Sequence, residues 1–487
     1  MKDRTATAEQ AADSIRDGMT VAMSGYAMAG YPKAVVEALV RRKQSGEDLS
    51  LTLVTGANVP WLDETLGAEK IIARRAPMVA SRTLAAQAND GSVRYVEQQM
   101  SKMPRLLRNG SFGAIDIAVV EALGFDDDGD LIPSSSVGMT HYLMDAADEI
   151  IVEINVAQPE VLRELHDIYL PAAAPDTQPI PLVRTNQRIG RSGIPIDPGK
   201  IRYIVETDTP ERLGPQPPGN ATTRAIAENL MNLLELETAR SGGFLPPIQT
   251  GFGSMADSVA EAFQQSSFDN LQFYCGGITE PVLELLASGK ATALSTGGLG
   301  MSERVEQILS DTPKLRDHLV IRNGDITNSA EVIGRLGLVA LNTGIEIDVY
   351  GNVNSSHIAG SRVVNGIGGG ASFAQNAGLS VILIPSTAKR GAISNIVPMV
   401  SHLDISEHDV DVVVTEHGFA DLRGLDEGER SDAIVANCAS ETYRGQLTAY
   451  LEKAREHCGG HHPQLPEVAF GWYRRLKEEG TMLEERP

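Results

Sequence analysis

Backbone amides beside a cation are the simplest anion receptor a chain can build, and three segments of this sequence have the residue types for that chemistry. Gly251-Phe252-Gly253-Ser254-Met255 stands between the extended stretch Pro247 to Thr250 and a helical run, so its N–H groups would meet a phosphate at a helix N-terminus. A plain tight turn explains the same glycines equally well. Lys389, in Ser386-Thr387-Ala388-Lys389-Arg390-Gly391, follows a strand end in a short polar loop, where an ammonium meets either phosphate or only water. Gly366-Ile367-Gly368-Gly369-Gly370-Ala371 crowds glycines closely enough to bring an amide against a reacting carbonyl, as an oxyanion hole requires. It is not a dinucleotide fingerprint, because no clear strand precedes it and the next strand exits into Pro385-Ser386-Thr387 rather than an acidic residue.

Acid–base groups cluster later. Glu416, in Thr415-Glu416-His417-Gly418, sits where the run Val410 to Val414 emerges, the usual place for functional groups in an α/β sheet. His417, His402 and His408 are alternatives for the same work, and structural roles suit them as well. No G-x-S-x-G elbow is present, which leaves a serine hydrolase without its nucleophile. Asp126 to Asp130 lack the remaining ligands of a calcium loop and read as a solvated hairpin turn. Cys458, His461 and His462 lack the other ligands of a zinc cluster, so no metal is expected.

These groups need a scaffold of alternating elements. Thr20 to Ser24, Leu51 to Thr55, Ile115 to Glu121 and Ile150 to Ile154 are short apolar, β-branched runs separated by stretches of helical spacing such as Pro32 to Arg42. The pattern predicts an α/β sheet covered by helices. A length of 487 residues exceeds one ordinary core, and the Pro- and Gly-rich stretch Asp208 to Asn220, followed by helical Thr222 to Glu237, predicts a boundary between residues 1–213 and 214–487. The halves share a plan. Gly25-Tyr26 before Ala34-Val35-Val36-Glu37-Ala38 is answered by Gly251-Phe252 before Ser258-Val259-Ala260-Glu261-Ala262. Two related domains of this kind predict a ligand cleft between them.

A net charge of −22 argues against nucleic acid or an anionic membrane as the main partner. Three scattered cysteines fit a reducing compartment, and neither an export signal nor an apolar run of membrane-spanning length is visible, so a cytoplasmic location is expected.

Several longer motifs carry a resemblance. Gly30-Tyr31-Pro32-Lys33, His166-Asp167-Ile168-Tyr169, Asp348-Val349-Tyr350-Gly351-Asn352-Val353-Asn354-Ser355, Pro385-Ser386-Thr387-Ala388-Lys389 and Ile396-Val397-Pro398-Met399-Val400-Ser401-His402 together resemble the acetyl-CoA hydrolase/transferase branch of the class I CoA-transferases. The resemblance implies two tandem α/β CoA-transferase domains, coenzyme A as substrate and product with no tightly bound cofactor, and a homodimer. It places CoA contacts at Gly251, Phe252, Gly253, Ser254, Met255, Ile345, Gly369 and Lys389. It also gives Asn328 and the Gly369 amide to the oxyanion, Glu416 to the acyl site, and Asn58 to the acyl group, where relatives often carry serine.

One position departs from that pattern. Relatives carry a glutamate in a Tyr-Thr-Glu run that attacks the acyl-CoA; counting without gaps, its place is taken by Gly276. The local Gly276-Gly277-Ile278-Thr279 instead resembles citrate lyase α subunits, which exchange thioesters without a covalent glutamyl intermediate. Glu280 is the nearest carboxylate, about one helical turn or roughly 6 Å away, too far for the same attack unless the loop remodels. The expectation is therefore a transferase of CoA between carboxylates, acting on small acyl-CoA thioesters by direct attack of the acceptor. Acyl-CoA hydrolysis, with Glu416 or Glu280 as general base, and a catalytically inactive CoA-binding protein are the alternatives.

Overall fold

The computed structural model describes residues 4–211, 213 and 218–484. They gather into two compact units, each considered over its described residues: Met1–Pro215 with Asp269–Leu336 and Asn365–Ser372, and Gln216–Phe268 with Gly337–Val364 and Phe373–Pro487. The units do not follow chain order, since the second half of the sequence returns twice to the first unit. A division into residues 1–213 and 214–487 stays a proposal about two related halves; Gly214 lies outside the described residues.

The first unit contains a parallel sheet in the order Arg94–Tyr95, Ile72–Ala76, Leu51–Thr55, Thr20–Met23, Ile115–Phe125, Ala147–Asn155 and Ile201–Thr207. Leu131–Pro133 adds an antiparallel partner to Ile115–Phe125, and Asp126 to Asp130 form the hairpin turn between them. Near-continuous apolar runs such as Ile115–Phe125 are what a sheet covered on both faces requires. A second parallel run in the same unit joins Leu271–Cys275, Ala291–Thr296, Leu319–Arg322 and His166–Asp167. Its last pairing brings a strand from the first half of the sequence onto one from the second, locked by the buried Arg322–Asp167 ion pair.

The second unit builds on parallel strands Ile248–Gln249, Val339–Thr343, Leu379–Leu383 and Val412–Thr415, closed by antiparallel Gly418–Asp421. Helix Ala221–Arg240 packs on helix Ser254–Gln265, where Thr223 and Ser258 share a buried hydroxyl contact of 2.8 Å. No helix among the described residues is long and apolar enough to cross a membrane.

Helix Ala34–Gln44 begins later than its apolar spacing predicts, for a chemical reason. The Glu153 carboxylate accepts from the N–H groups of Lys33, Ala34 and Val35, so the first turn is capped from a neighbouring strand rather than by a local residue. Helix Ala221–Arg240 outruns Thr222 to Glu237 at both ends, and at its start Asn220 and Thr223 form a capping box. Cys458, His461 and His462 diverge: the thiol contacts the Gln464 carbonyl, while the imidazoles face Glu427 and Glu407 respectively.

His141 is buried with neither ring nitrogen hydrogen-bonded among the described residues, and burial pushes its pKa down to about 3. A histidine neutral in the fold and titrating near 6.5 when unfolded supplies stability above pH 6.5 that is lost as pH falls toward 3. The expected slope is about 1.4 kcal/mol per pH unit across that window. His141→Phe removes two unpartnered polar atoms and the titration together. Denaturant midpoints of this variant should match or exceed the wild type at pH 7 and fall less steeply toward pH 4; an unaltered acid slope would refute the assignment.

Candidate functional site

Strand exits of the first unit converge on one buried side chain. Tyr26 follows Thr20–Met23 and is fully buried, its ring occupying a slot that three glycines leave open. A Cβ at Gly138 would lie 2.4 Å from Tyr26 Cβ, one at Gly297 2.6 Å from Cε1, and one at Gly324 2.7 Å from Cε2. Any side chain at those positions overlaps the ring. Gly297 and Gly324 follow the strands Ala291–Thr296 and Leu319–Arg322, so the slot is built at the carboxyl ends of parallel strands, where α/β proteins place ligands. Backbone bonds knit the wall: Val137 and Gly138 donate to the Gly297 carbonyl, Gly324 to that of Gly138, and Gly297 to that of Gly276.

Tyr26 opens a reciprocal turn with Ala29, through N–H···O bonds of 2.9 and 3.1 Å, and the two residues between them are left-handed, Ala27 at φ 53° and Met28 at φ 70°. Non-glycine residues in that region cost roughly 1–3 kcal/mol each and concentrate at functional sites. The Met28 N–H donates to the carbonyl of Asn58, which joins this expected acyl-site residue to the same turn.

Asn328 ends the short helix Gly324–Thr327 and is 2% exposed. Its Nδ2 donates to the Tyr26 hydroxyl, to the Gly324 carbonyl at 3.0 Å and to Thr327 Oγ1 at 3.1 Å, whereas Oδ1 has no partner among the described residues. Rotating the amide by 180° would leave the oxygen facing two hydroxyls able to donate, but it would also replace the 3.0 Å bond to the Gly324 carbonyl with a contact between two acceptors. Gly276 follows Leu271–Cys275 and is half-buried; beyond its chain neighbours, a Cβ there would meet only Tyr26 Oη among the described residues, at 4.0 Å. Among the described residues, chain neighbours aside, no carboxylate oxygen lies within 4 Å of a Cβ placed there. Glu280 begins helix Glu280–Ala287 and accepts from Ser302 Oγ at 2.5 Å, which ties it to the N-cap of the next helix.

Gly369 also belongs to the first unit. Its loop is held by Ile367 N–H on Glu97 at 2.9 Å, by Met100 N–H on the Gly368 carbonyl at 3.2 Å, and by the Ser101–Ser372 hydroxyl contact. Gly366 packs so closely on Met78 that a Cβ would approach to 2.9 Å. The loop is thus fixed on both sides of Gly369.

The remaining expected residues lie in the second unit. Gly251 is exposed and Gly253, at φ 91°, caps helix Ser254–Gln265; an added Cβ at either would meet nothing among the described residues, so the helix N-terminus is open. Ile345 precedes strand Glu346–Asp348, whose Ile347 N–H reaches the Asn395 carbonyl at 2.8 Å. Asn395 closes the loop carrying Lys389, a hairpin in which Thr387–Ala388 pairs with Ile393–Ser394. Lys389 and Arg390 are exposed left-handed residues at its tip, φ 46° and 56°, with no ion-pair partner among the described residues.

Glu416 braces that hairpin. One oxygen accepts from Ser386 N–H at 2.9 Å and the other from Ser386 Oγ at 2.6 Å, while His417 Nε2 lies 3.1 Å from the same hydroxyl. Both oxygens hold the loop that presents Lys389, a role that its position at a strand exit did not reveal. Hydrogen bonds to a charged acceptor contribute about 1.5–3 kcal/mol. Glu416→Gln and Ser386→Ala should each speed hydrogen exchange at Ala392 and Asn395 by about tenfold or more. Unchanged protection in both variants would remove the brace.

Comparison with known proteins agrees with this architecture. Residues 2–210 match the acetyl-CoA hydrolase/transferase N-terminal domain and residues 306–451 the C-terminal domain of that family. The chain is 38% identical to the succinyl-CoA:acetate CoA-transferase of Clostridium kluyveri, over 99% of this chain and 90% of that one. It is 34% identical to the acetyl-CoA hydrolase of Kluyveromyces lactis, over 96% and 93% respectively. The crystal structure of RipA from Yersinia pestis shares the fold, with a TM-score of 0.71 at 20% identity over 93% of this chain and 97% of that one. Relatives named as transferases and as hydrolases occur together, so the chemistry they share is exchange or cleavage at an acyl-CoA thioester, and the chain belongs to the acetyl-CoA hydrolase/transferase family.

Proposed function

We propose that the protein transfers CoA between small carboxylates, and that the acceptor attacks the thioester directly rather than through an enzyme-bound glutamyl thioester. The observation that carries this reading is the open space beside Gly276, with Glu280 accepting a hydrogen bond from Ser302. The acceptor carboxylate oxygen adds to the thioester carbonyl, the oxyanion collapses, and the C–S bond breaks to give a mixed anhydride and CoA thiolate. The thiolate then attacks the other carbonyl, releasing the original acyl group as its carboxylate. No proton is consumed, so the site needs oxyanion donors more than an acid or base.

In this reading the amides of Gly369 and Asn328 stabilise the oxyanion, Asn58 and Gly276 border the acyl group, and Gly251 to Met255, Ile345 and Lys389 hold CoA. Glu416 acts by bracing the Lys389 hairpin. CoA is substrate and product, and a cytoplasmic homodimer is part of the proposal. The hydrolase named among the relatives supports a second reading, in which water takes the acceptor's place.

Initial rates against acyl-CoA and carboxylate should give intersecting lines, and intact-mass spectrometry after acyl-CoA treatment should show an unmodified chain. Parallel lines with a CoA-sized adduct on Glu280 would overturn direct attack, and acyl-CoA loss independent of any carboxylate would establish hydrolysis instead. Lys389→Ala should weaken CoA binding by roughly 1.5–3 kcal/mol, the value of a charge-assisted bond to phosphate. Calorimetry returning the wild-type dissociation constant would exclude that contact.

A further inference from the structure

We propose that Tyr26 is a positioning residue for thioester exchange: its hydroxyl holds the Asn328 amide in register with the vacant side-chain space at Gly276. This rests on the reading of the site as a CoA-transferase centre. Three independent features of the first unit point to it. The ring is confined by Gly138, Gly297 and Gly324, none of which tolerates a Cβ against it. The hydroxyl receives Asn328 Nδ2 and, chain neighbours aside, is the only heavy atom of the described residues within 4 Å of a Cβ at Gly276, so one oxygen links the oxyanion donor to the place of the missing nucleophile. The turn that delivers the ring keeps two successive non-glycine residues left-handed, at Ala27 and Met28.

The chemistry explains why a phenol suits this place. A tyrosine hydroxyl accepts from Asn328 Nδ2 in the observed orientation and is also able to donate to Oδ1 should the amide turn, a rotation that gives up the 3.0 Å bond from Nδ2 to the Gly324 carbonyl. Thr327 Oγ1 accepts from the same Nδ2 at 3.1 Å and donates to the Gly324 carbonyl at 3.2 Å, so the amide is held by its side-chain and backbone neighbours together. Phenylalanine would fill the slot and do neither. Burial drives the Tyr26 pKa far above its ordinary value, so the group stays neutral wherever the enzyme works and adds no negative charge beside an oxyanion. A carboxylate in its place would repel that charge.

Tyr26→Phe keeps the ring and removes the oxygen. With saturating acyl-CoA and acceptor, kcat should fall about tenfold or more while KM for acyl-CoA stays within about twofold, because the CoA contacts lie elsewhere. A double-mutant cycle with Asn328→Ala separates positioning from packing: the double variant should be no slower than Asn328→Ala alone. Should Tyr26→Phe fold poorly, 3-fluorotyrosine at position 26 keeps the shape and alters hydroxyl acidity, and kcat should shift without a change in melting temperature. Wild-type kcat in the folded variant, or additive losses in the cycle, would overturn the role of Tyr26 while leaving the transferase reading intact. A wild-type protein with neither transfer nor hydrolysis across a panel of acyl-CoAs and carboxylates would overturn both.

Discussion

The ring of Tyr26 fills a space that exists because Gly138, Gly297 and Gly324 have no side chains, and the chain around it is arranged by that exclusion. Strand ends brought this close leave backbone groups facing one another, and their N–H and carbonyl groups pair across the slot instead of being buried unsatisfied. In the role proposed for it, the Asn328 amide would stabilise a developing oxyanion only with its direction settled before the charge appears, since reorientation during the reaction would cancel the gain.

The turn that carries Tyr26 is strained, and a buried charge network lies immediately beyond it. The Lys33 ammonium is held by Glu121 and Glu211, with relative exposures of 3%, 0% and 1% for the three side chains. Glu211 also accepts from Gly30 N–H and Ser135 Oγ, each at 2.8 Å, and Ser136 Oγ donates to the Ala29 carbonyl at 2.9 Å. Burial raises the Glu211 pKa while Lys33 opposes the shift, so the carboxylate and the ammonium depend on each other. Buried ion pairs of this kind rarely add much net stability, but removing one partner is costly. Here the network holds the C-terminal side of a turn whose own dihedral preferences run against it.

The second unit solves a different problem with similar means. A cation proposed to meet phosphate has to stay exposed and yet be held in place, and Lys389 sits on a hairpin whose stem is fixed by Glu416 through Ser386. Tyr443 donates to the Gly391 carbonyl and Met482 to that of Ala392, so elements near the end of the chain support the same loop. Charge is therefore deployed differently in the two units, paired and buried beside the Tyr26 turn, exposed and without an ion-pair partner among the described residues at Lys389 and Arg390.

Alternation of apolar runs and helical spacing was enough to indicate a parallel or mixed α/β sheet covered by helices, because period and β-branching are local properties of the chain. The glycine-rich loops and Lys389 were recognisable for the same reason, and the glycine at position 276, where the resembling family carries a glutamate, could be found by counting along the sequence. Tyr26 was visible only as a marker of the repeated plan. Its partner Asn328 lies 302 positions away, and nothing in either residue's neighbourhood announces the other. Likewise Glu416 marks a strand exit, but that both its oxygens go to Ser386 is set by the parallel neighbours Leu379–Leu383 and Val412–Thr415. The return of Asp269–Leu336 to the first unit was equally hidden, because a strand's apolar pattern states that it will be buried and not beside which strand. Local sequence dictates what each segment can form; tertiary structure decides which segments meet, since that choice rests on shape and backbone hydrogen bonding between residues far apart in the chain.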